Sequence, residues 1–376
     1  MDTVITNIGQ LVTPVESLLG GGKRAVTLRM TPDATLYIQN GRISEIPSGR
    51  TKTQVQTLNA GGGVVLPGLV DPFWVMPSLP LWIHELPGLK FPEKDLLNWS
   101  LRLLRLALRA GVTTTEVKCR HDLEFESLTA LGHLGKQQHP RVVGTLLASL
   151  PEDRSVCSMS SLIGEVIPEI RSRRLATFCD IGWGGHEGFV NEARDVLRAA
   201  SGAGLRPKLH IQAQPVMIDV RSLALSLDIA SVGCASHLSP ATVKHLFDSN
   251  VFPVYLPALP DGQIGKHLNV RALLDQGVAV AIGSGNGLFD CQLKSMWSVL
   301  ASAIDRMDMT LPEAIVSCTL HNAIALEMSD DVGSLEPGKS ADLVILDLLD
   351  FRELESVVAA PPVSMVMVGG EIVHSR

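Results

Sequence analysis

The chain has 376 residues, 45% of them hydrophobic and 19% charged, so it can bury a large core and is not a disordered polymer. Its formal net charge of −7 and its lack of basic runs exclude nucleic acid or an anionic membrane as the main partner. The apolar runs fall well short of the ~18 residues a membrane-spanning helix needs, and MDTVITNIGQLV lacks the pattern of a signal peptide. Six cysteines at 119, 157, 179, 234, 291 and 318 show no CxxC spacing, which suggests neither a zinc knuckle nor a disulfide framework. A cytoplasmic protein with reduced thiols is expected.

The first sixty residues read as β structure. ATLYIQNGRISEI (34–46) predicts two strands around the two-residue turn Asn40-Gly41. Apolar or β-branched runs then recur near 64–70, 112–118, 141–147, 176–182, 206–212, 228–235, 251–256 and 278–283, mostly separated by helical patterns. The clearest helix is EKDLLNWSLRLLRLALRAG, with Leu97, Leu101, Leu104 and Leu108 on one face, Arg102, Arg105 and Arg109 on another, and Gly111 at the expected C-cap. GSLEPGKSADLVILD (333–347) and VSMVMVGGEIVHSR (363–376) return to strands with Pro-Gly and Gly-Gly turns. Eight alternating units predict an α/β fold, a (β/α)8 TIM-like barrel over 64–329, with residues 1–63 and 330–376 forming a discontinuous β-sandwich domain.

In such a barrel, chemistry sits where the strands end. The candidates there are Asp71, Lys118, Cys119, His121, His186, His210, His237 and the turn GSGNG (283–287). That turn either cradles an anion or needs positive φ for a tight bend. Cys119 beside His121 is either a nucleophile or a small buried hydrophobe.

The N-terminal hairpin, LPGLVDP (66–72), GVTTTEVK (111–118), KLH (208–210), SHL (236–238), Tyr255-Leu-Pro, GVAVAIGS (277–284) and VGSLEPGKSADLVILD occur in an order that resembles the amidohydrolase superfamily, and within it imidazolonepropionase, almost end to end. The resemblance implies a catalytic metal held by a His-x-His pair after LPGLVDP, a His from strand five and an Asp from strand eight. It also implies a proton-shuttling side chain three residues beyond the strand-five His. The matching positions here are Phe73, Val75, His210, Gly285 and Ala213, so only His210 of the metal ligands remains.

On this resemblance Trp82 stands where a substrate-binding Arg is expected, His186 matches a substrate-contacting His, and His121 stands at a substrate-contacting Tyr. The expected catalytic residues are His210 and His237. The expected ligand contacts are His186, His121, Trp74, Trp82, Lys118 and Asn286. For Lys118 a structural ion pair with Glu116 or Asp71 is the alternative. Phe73, Trp74 and Val75 either floor an aromatic pocket or refill a vacated metal cavity.

No cofactor is expected, with Zn or Fe only if a metal site has been rebuilt around His210 and His237. Three functions stay open. One is a degenerate relative binding a small cyclic nitrogenous or carboxylated molecule, with metal-free acid–base chemistry. The second is an active hydrolase of C–N bonds in cyclic amides with a relocated metal. The third is a non-catalytic oligomer partner. A homodimer is expected.

Overall fold

The computed structural model describes residues 2–18, 24–45, 55–76, 93–120, 140–149, 159–183, 190–211, 220–288 and 293–376. The chain begins with two long antiparallel strands, β1 (Asp2–Leu18) and β2 (Arg24–Gln39), and turns back into β3 (Arg42–Ser44). Gln39 pairs with Arg42, and Asn40 and Gly41 both take positive φ (52° and 76°), as a two-residue hairpin turn requires. β4 (Val55–Asn59) and β5 (Val64–Pro67) then run parallel to β1.

The apolar run at 64–70, expected as a single barrel strand, is divided at Gly68. Val64–Pro67 stays in the flanking sheet, and the first barrel strand is β6 (Leu69–Val75). A Cβ on Gly68 would lie 2.1 Å from Thr113 Oγ1, so the chain can pass from one sheet to the other there only without a side chain. The flanking domain therefore continues to Pro67 rather than ending at residue 63.

Seven further parallel strands complete the barrel: β7 (Val112–Arg120), β8 (Arg141–Ser149), β9 (Phe178–Trp183), β10 (Arg206–Ile211), β11 (Ser231–Gly233), β12 (Phe252–Tyr255) and β13 (Ala281–Ile282). They pair in chain order from β6 to β13. Across the seam, Gly285 N donates to Phe73 O at 3.0 Å and Val75 N to Asn286 O at 2.8 Å. Asn322 reinforces it: its Nδ2 donates to Val70 O (2.6 Å) and Ile282 O (2.8 Å), and its Oδ1 accepts from Ile282 N (2.9 Å).

Helix α1 (Glu93–Arg109) buries Leu104 and Leu108, exposes Arg102, Arg105 and Arg109, and ends at Gly111 with φ 95°. The Leu97 side chain lies outside the described residues. Among the described residues, no helix is long and apolar enough to cross a membrane.

β14 (Leu343–Leu346), β15 (Val363–Val368) and β16 (Glu371–Ser375) rejoin the N-terminal strands in the order β16-β15-β14-β5-β1-β2-β3, with β4 also on β1. The domain built from both termini holds one eight-stranded mixed sheet among the described residues. Alternation explains how it attaches. Val65, Leu343, Ile345 and Met367 share one core with Ile5 and Ile38, whereas Val64, Leu66, Val344, Leu346 and Val366 join the barrel's outer core with Leu104 and Leu108.

Candidate functional site

Alternation along each barrel strand decides which side chains reach the interior. On β6, Phe73 and Val75 join an apolar cluster with Leu147, Val254, Leu256, Leu259 and Ala281. Trp74 belongs to the outer core with Leu104, Leu108 and Val112. The expected ligand contact at Trp74 is therefore corrected: a residue between two inward side chains faces the helix layer. Cys119 has the same fate on β7, buried with Trp74 and Val117 in the outer core.

The other half of the interior is ionic. On β7, Glu116 and Lys118 share a face, and Lys118 Nζ donates to Glu116 Oε1 at 3.0 Å and to Asp180 Oδ2 of β9 at 2.7 Å. Thr145 Oγ1 of β8 donates to Glu116 Oε1 at 2.5 Å. Lys208 Nζ of β10 lies 3.1 Å from Glu116 Oε2 and 3.8 Å from the centroid of the Phe178 ring. His210 Nδ1 lies 3.0 Å from Asp180 Oδ2. Lys118 is thus in the ion pair expected with Glu116, but its second partner is Asp180 and not Asp71. Asp71 Oδ1 instead accepts from the backbone N–H groups of Phe73 (3.2 Å) and Ser284 (3.1 Å).

Burial alone would raise the pKa of Asp180, but the charges of and hydrogen bonds from Lys118 and His210 outweigh it and hold the carboxyl well below the usual range. An ionised carboxylate only accepts, so Nδ1 is the protonated nitrogen on that edge of His210. Burial pushes Lys118 down, yet the charges of Asp180 and Glu116 outweigh it and keep the ammonium charged. Lys208 has less compensation, and burial lowers it to about 8. Burial raises Asp71 to about 6 against the hydrogen bonds it accepts.

Phe73 is where the two halves meet. Its ring stands edge-on to His210, with centroids 5.3 Å apart at 83°, and Lys118 Nζ is 4.4 Å from its centroid. It fits because two neighbours lack side chains. A Cβ on Gly233 would lie 2.7 Å from Phe73 Cε2, and one on Gly283 would lie 2.8 Å from Phe73 Cβ.

His237 sits half-buried in the 3-10 turn Ala235–His237 after β11, and burial lowers its pKa. Gly285 and Gly287 have φ of 63° and 75°, so GSGNG is a bend requiring positive φ. Asn286 braces it, with Nδ2 donating to Lys294 O (3.0 Å) and Oδ1 accepting from Lys294 N (2.8 Å). His121, His186, Trp82 and Ala213 lie outside the described residues. Among the described residues, no group of three or more His, Cys, Asp and Glu is placed to hold a metal ion.

Asp180, Lys208 and Thr145 were not singled out by sequence reasoning. The available signal was a polar residue two positions from another inward side chain in three of the barrel strands, β7, β9 and β10: Glu116-x-Lys118, Phe178-x-Asp180 and Lys208-x-His210.

An eight-stranded parallel barrel with ionisable side chains inside, flanked by a sheet from both termini, defines a (β/α)8 barrel protein. The amidohydrolase family profile matches residues 196–373. The imidazolonepropionase of Deinococcus deserti is 30% identical over 404 aligned residues, covering 98% of this chain and 99% of that protein. That of Alkaliphilus oremlandii is 27% identical, covering 100% and 99%. The chain belongs to the amidohydrolase family, on the side of it that carries imidazolonepropionase. Solved structures agree on the fold: a Xaa-Pro dipeptidase with bound methionine (TM-score 0.74, 17% identity, 100% of both chains), and the N-isopropylammelide isopropylaminohydrolase of Burkholderia multivorans (TM-score 0.72, 17% identity, 100% of this chain and 98% of that one).

Proposed function

We propose that this chain keeps the imidazolonepropionase-like barrel as a binding site for a small cyclic nitrogenous or carboxylated molecule, without the family's hydrolytic metal centre. The observation that carries this reading is Phe73. Where the resemblance calls for an imidazole donor, a hydrocarbon ring packs against His210, with the Lys118 ammonium on its face. A dication beside that ammonium would be repelled in a poorly screened interior. The remaining inherited positions fit a metal no better. Val75 has no lone pair, and a Cβ on Gly285 would point into Leu259 and Leu256, at 3.1 and 3.3 Å.

The chemistry left to the chain's own groups is acid–base. Asp180 holds His210 in one tautomer and orientation, the arrangement an imidazole needs to move a proton. His237 and His186 complete the proposed set around the ligand, and the active form is taken to be a homodimer in the cytoplasm. The similarity to imidazolonepropionases over the whole chain supports the ligand class.

The test combines three measurements on the full-length protein purified without chelators. Elemental analysis is expected to find only substoichiometric transition metal, and imidazolonepropionate is expected not to turn over. Cyclic imidazolone and related acids are expected to raise the melting temperature. One tightly bound metal ion per chain together with turnover would overturn the reading.

A further inference from the structure

On β7, Glu116 and Lys118 point into the barrel, while Val117 and Cys119 lie in the outer core. The same alternation turns Arg120, the last residue of the strand, inward above Lys118. Its register partner agrees: Arg120 pairs with Leu147 of β8, whose side chain belongs to the interior cluster around Phe73. Burial falls along this row towards the mouth, since Glu116 and Lys118 are buried and Arg120 is half-buried. Among the described barrel strands the other cations stand lower. Arg141 and Arg206 begin β8 and β10, and Lys118 and Lys208 lie within their strands. Arg120 is therefore the one cation at a C-terminal strand end, the face on which barrels of this kind meet their ligands. Space beside it comes from β9. Asp180 faces inward, so Gly182 does too, and it pairs with His210 of β10. At that position β9 adds no side chain, and a glycine within a strand is where a ligand can come close to the backbone.

We infer that Arg120 reads a carboxylate on the ligand, which lies with its acid group at the β7 end of the mouth and its ring over Gly182 towards His210. This rests on the reading that the barrel mouth is a binding site, and it narrows the ligand to a cyclic molecule that is also an acid. The chemistry follows from the group. A guanidinium carries five N–H donors in one plane and keeps its charge at any ordinary pH, so it can meet both oxygens of a carboxylate at once. The layer beneath does not oppose an anion. Glu116 and Asp180 face Lys118 and Lys208 two against two, so these four groups leave no excess negative charge under the mouth.

The experiment measures calorimetric binding of two probes, imidazole-4-propionate and its carboxamide, to full-length wild type, Arg120→Gln and Arg120→Lys. The wild type is expected to bind the acid at least ~10-fold more tightly than the amide, the worth of one charge-assisted contact. Arg120→Gln is expected to lose that preference and keep the wild-type affinity for the amide. Arg120→Lys, which keeps the charge without the fork, should fall between. If Arg120→Gln does not fold, Arg120→Lys decides: weaker acid binding with unchanged amide binding supports the inference, and unchanged acid binding overturns it. Equal binding of acid and amide by the wild type, or a preference that survives Arg120→Gln, overturns the inference and leaves the binding site standing. No binding of these probes or of the cyclic imidazolone acids would instead sink the proposed function and this inference with it, which separates the two failures.

Discussion

A Cβ placed on Gly233 would stand 2.7 Å from Phe73 Cε2 and 2.9 Å from His210 Cβ, so the absence of a side chain on β11 is what lets the Phe73 ring lie against His210. The aromatic residue on β6 and the glycine on β11 are one packing solution. Gly233→Ala is expected to cost about 1–3 kcal/mol through overpacking. Combined with Phe73→Leu it should cost less than the sum of the single changes, because the smaller side chain yields space. Urea denaturation of the four proteins measures the coupling, and strict additivity would show that the two residues do not share the space.

The barrel seam makes a second prediction. Asn322 supplies three hydrogen bonds to Val70 and Ile282, on the first and last barrel strands. Asn322→Leu leaves buried backbone groups without these partners, each costing about 1–3 kcal/mol, so a loss of at least ~3 kcal/mol is expected. Denaturant midpoints test this. Hydrogen exchange should speed first at β6 and β13, whereas uniform acceleration would argue against a local role.

The pH dependence should show two opposed contributions. Burial raises Asp71 to about 6, so the folded state holds a proton the unfolded state has released, and stability falls as pH rises from about 4 to 6. His321, buried with Nδ1 3.1 Å from Val280 O, is lowered to about 4. There the unfolded state binds the extra proton, so stability falls as pH drops from about 6.5 to 4. Asp71→Asn should steepen the net rise of stability with pH across this window, and His321→Gln should turn it toward a fall. Melting temperatures from pH 4 to 7 read both, and parallel profiles in wild type and variants would refute the assignments.

Lys208 gives a fourth prediction, at the alkaline end. Its pKa, lowered by burial to about 8, means that the folded state gives up a proton the unfolded state keeps. Stability should therefore rise as pH goes from about 8 to 10.5, and Lys208→Met should flatten that rise. A variant with an unchanged slope would place the titration elsewhere.

Local patterning carried much of this architecture. The two-residue turn at Asn40-Gly41, the leucine stripe of α1 with its glycine stop, and eight β/α units are short-range features, because turn chemistry and periodicity act over a few residues. The strand break at Gly68 was not legible, since it depends on Thr113 occupying the space beside it. Trp74 was read as a ligand contact for a related reason. Side-chain type was visible, but the face of the strand was not.

The sequence by itself determined the family and the barrel, and it put side chains without a metal-donating lone pair at Phe73, Val75 and Gly285, since residue identity alone says which atoms carry lone pairs. Only the tertiary structure decided which side chains meet around Phe73. Lys118, Asp180 and His210 lie on strands far apart in sequence, and the barrel brings them together so that each buried charge has a partner. The physical reason is the cost of an uncompensated charge in a water-excluded interior. That cost constrains the sum over neighbours in space, which no short stretch of the chain can display.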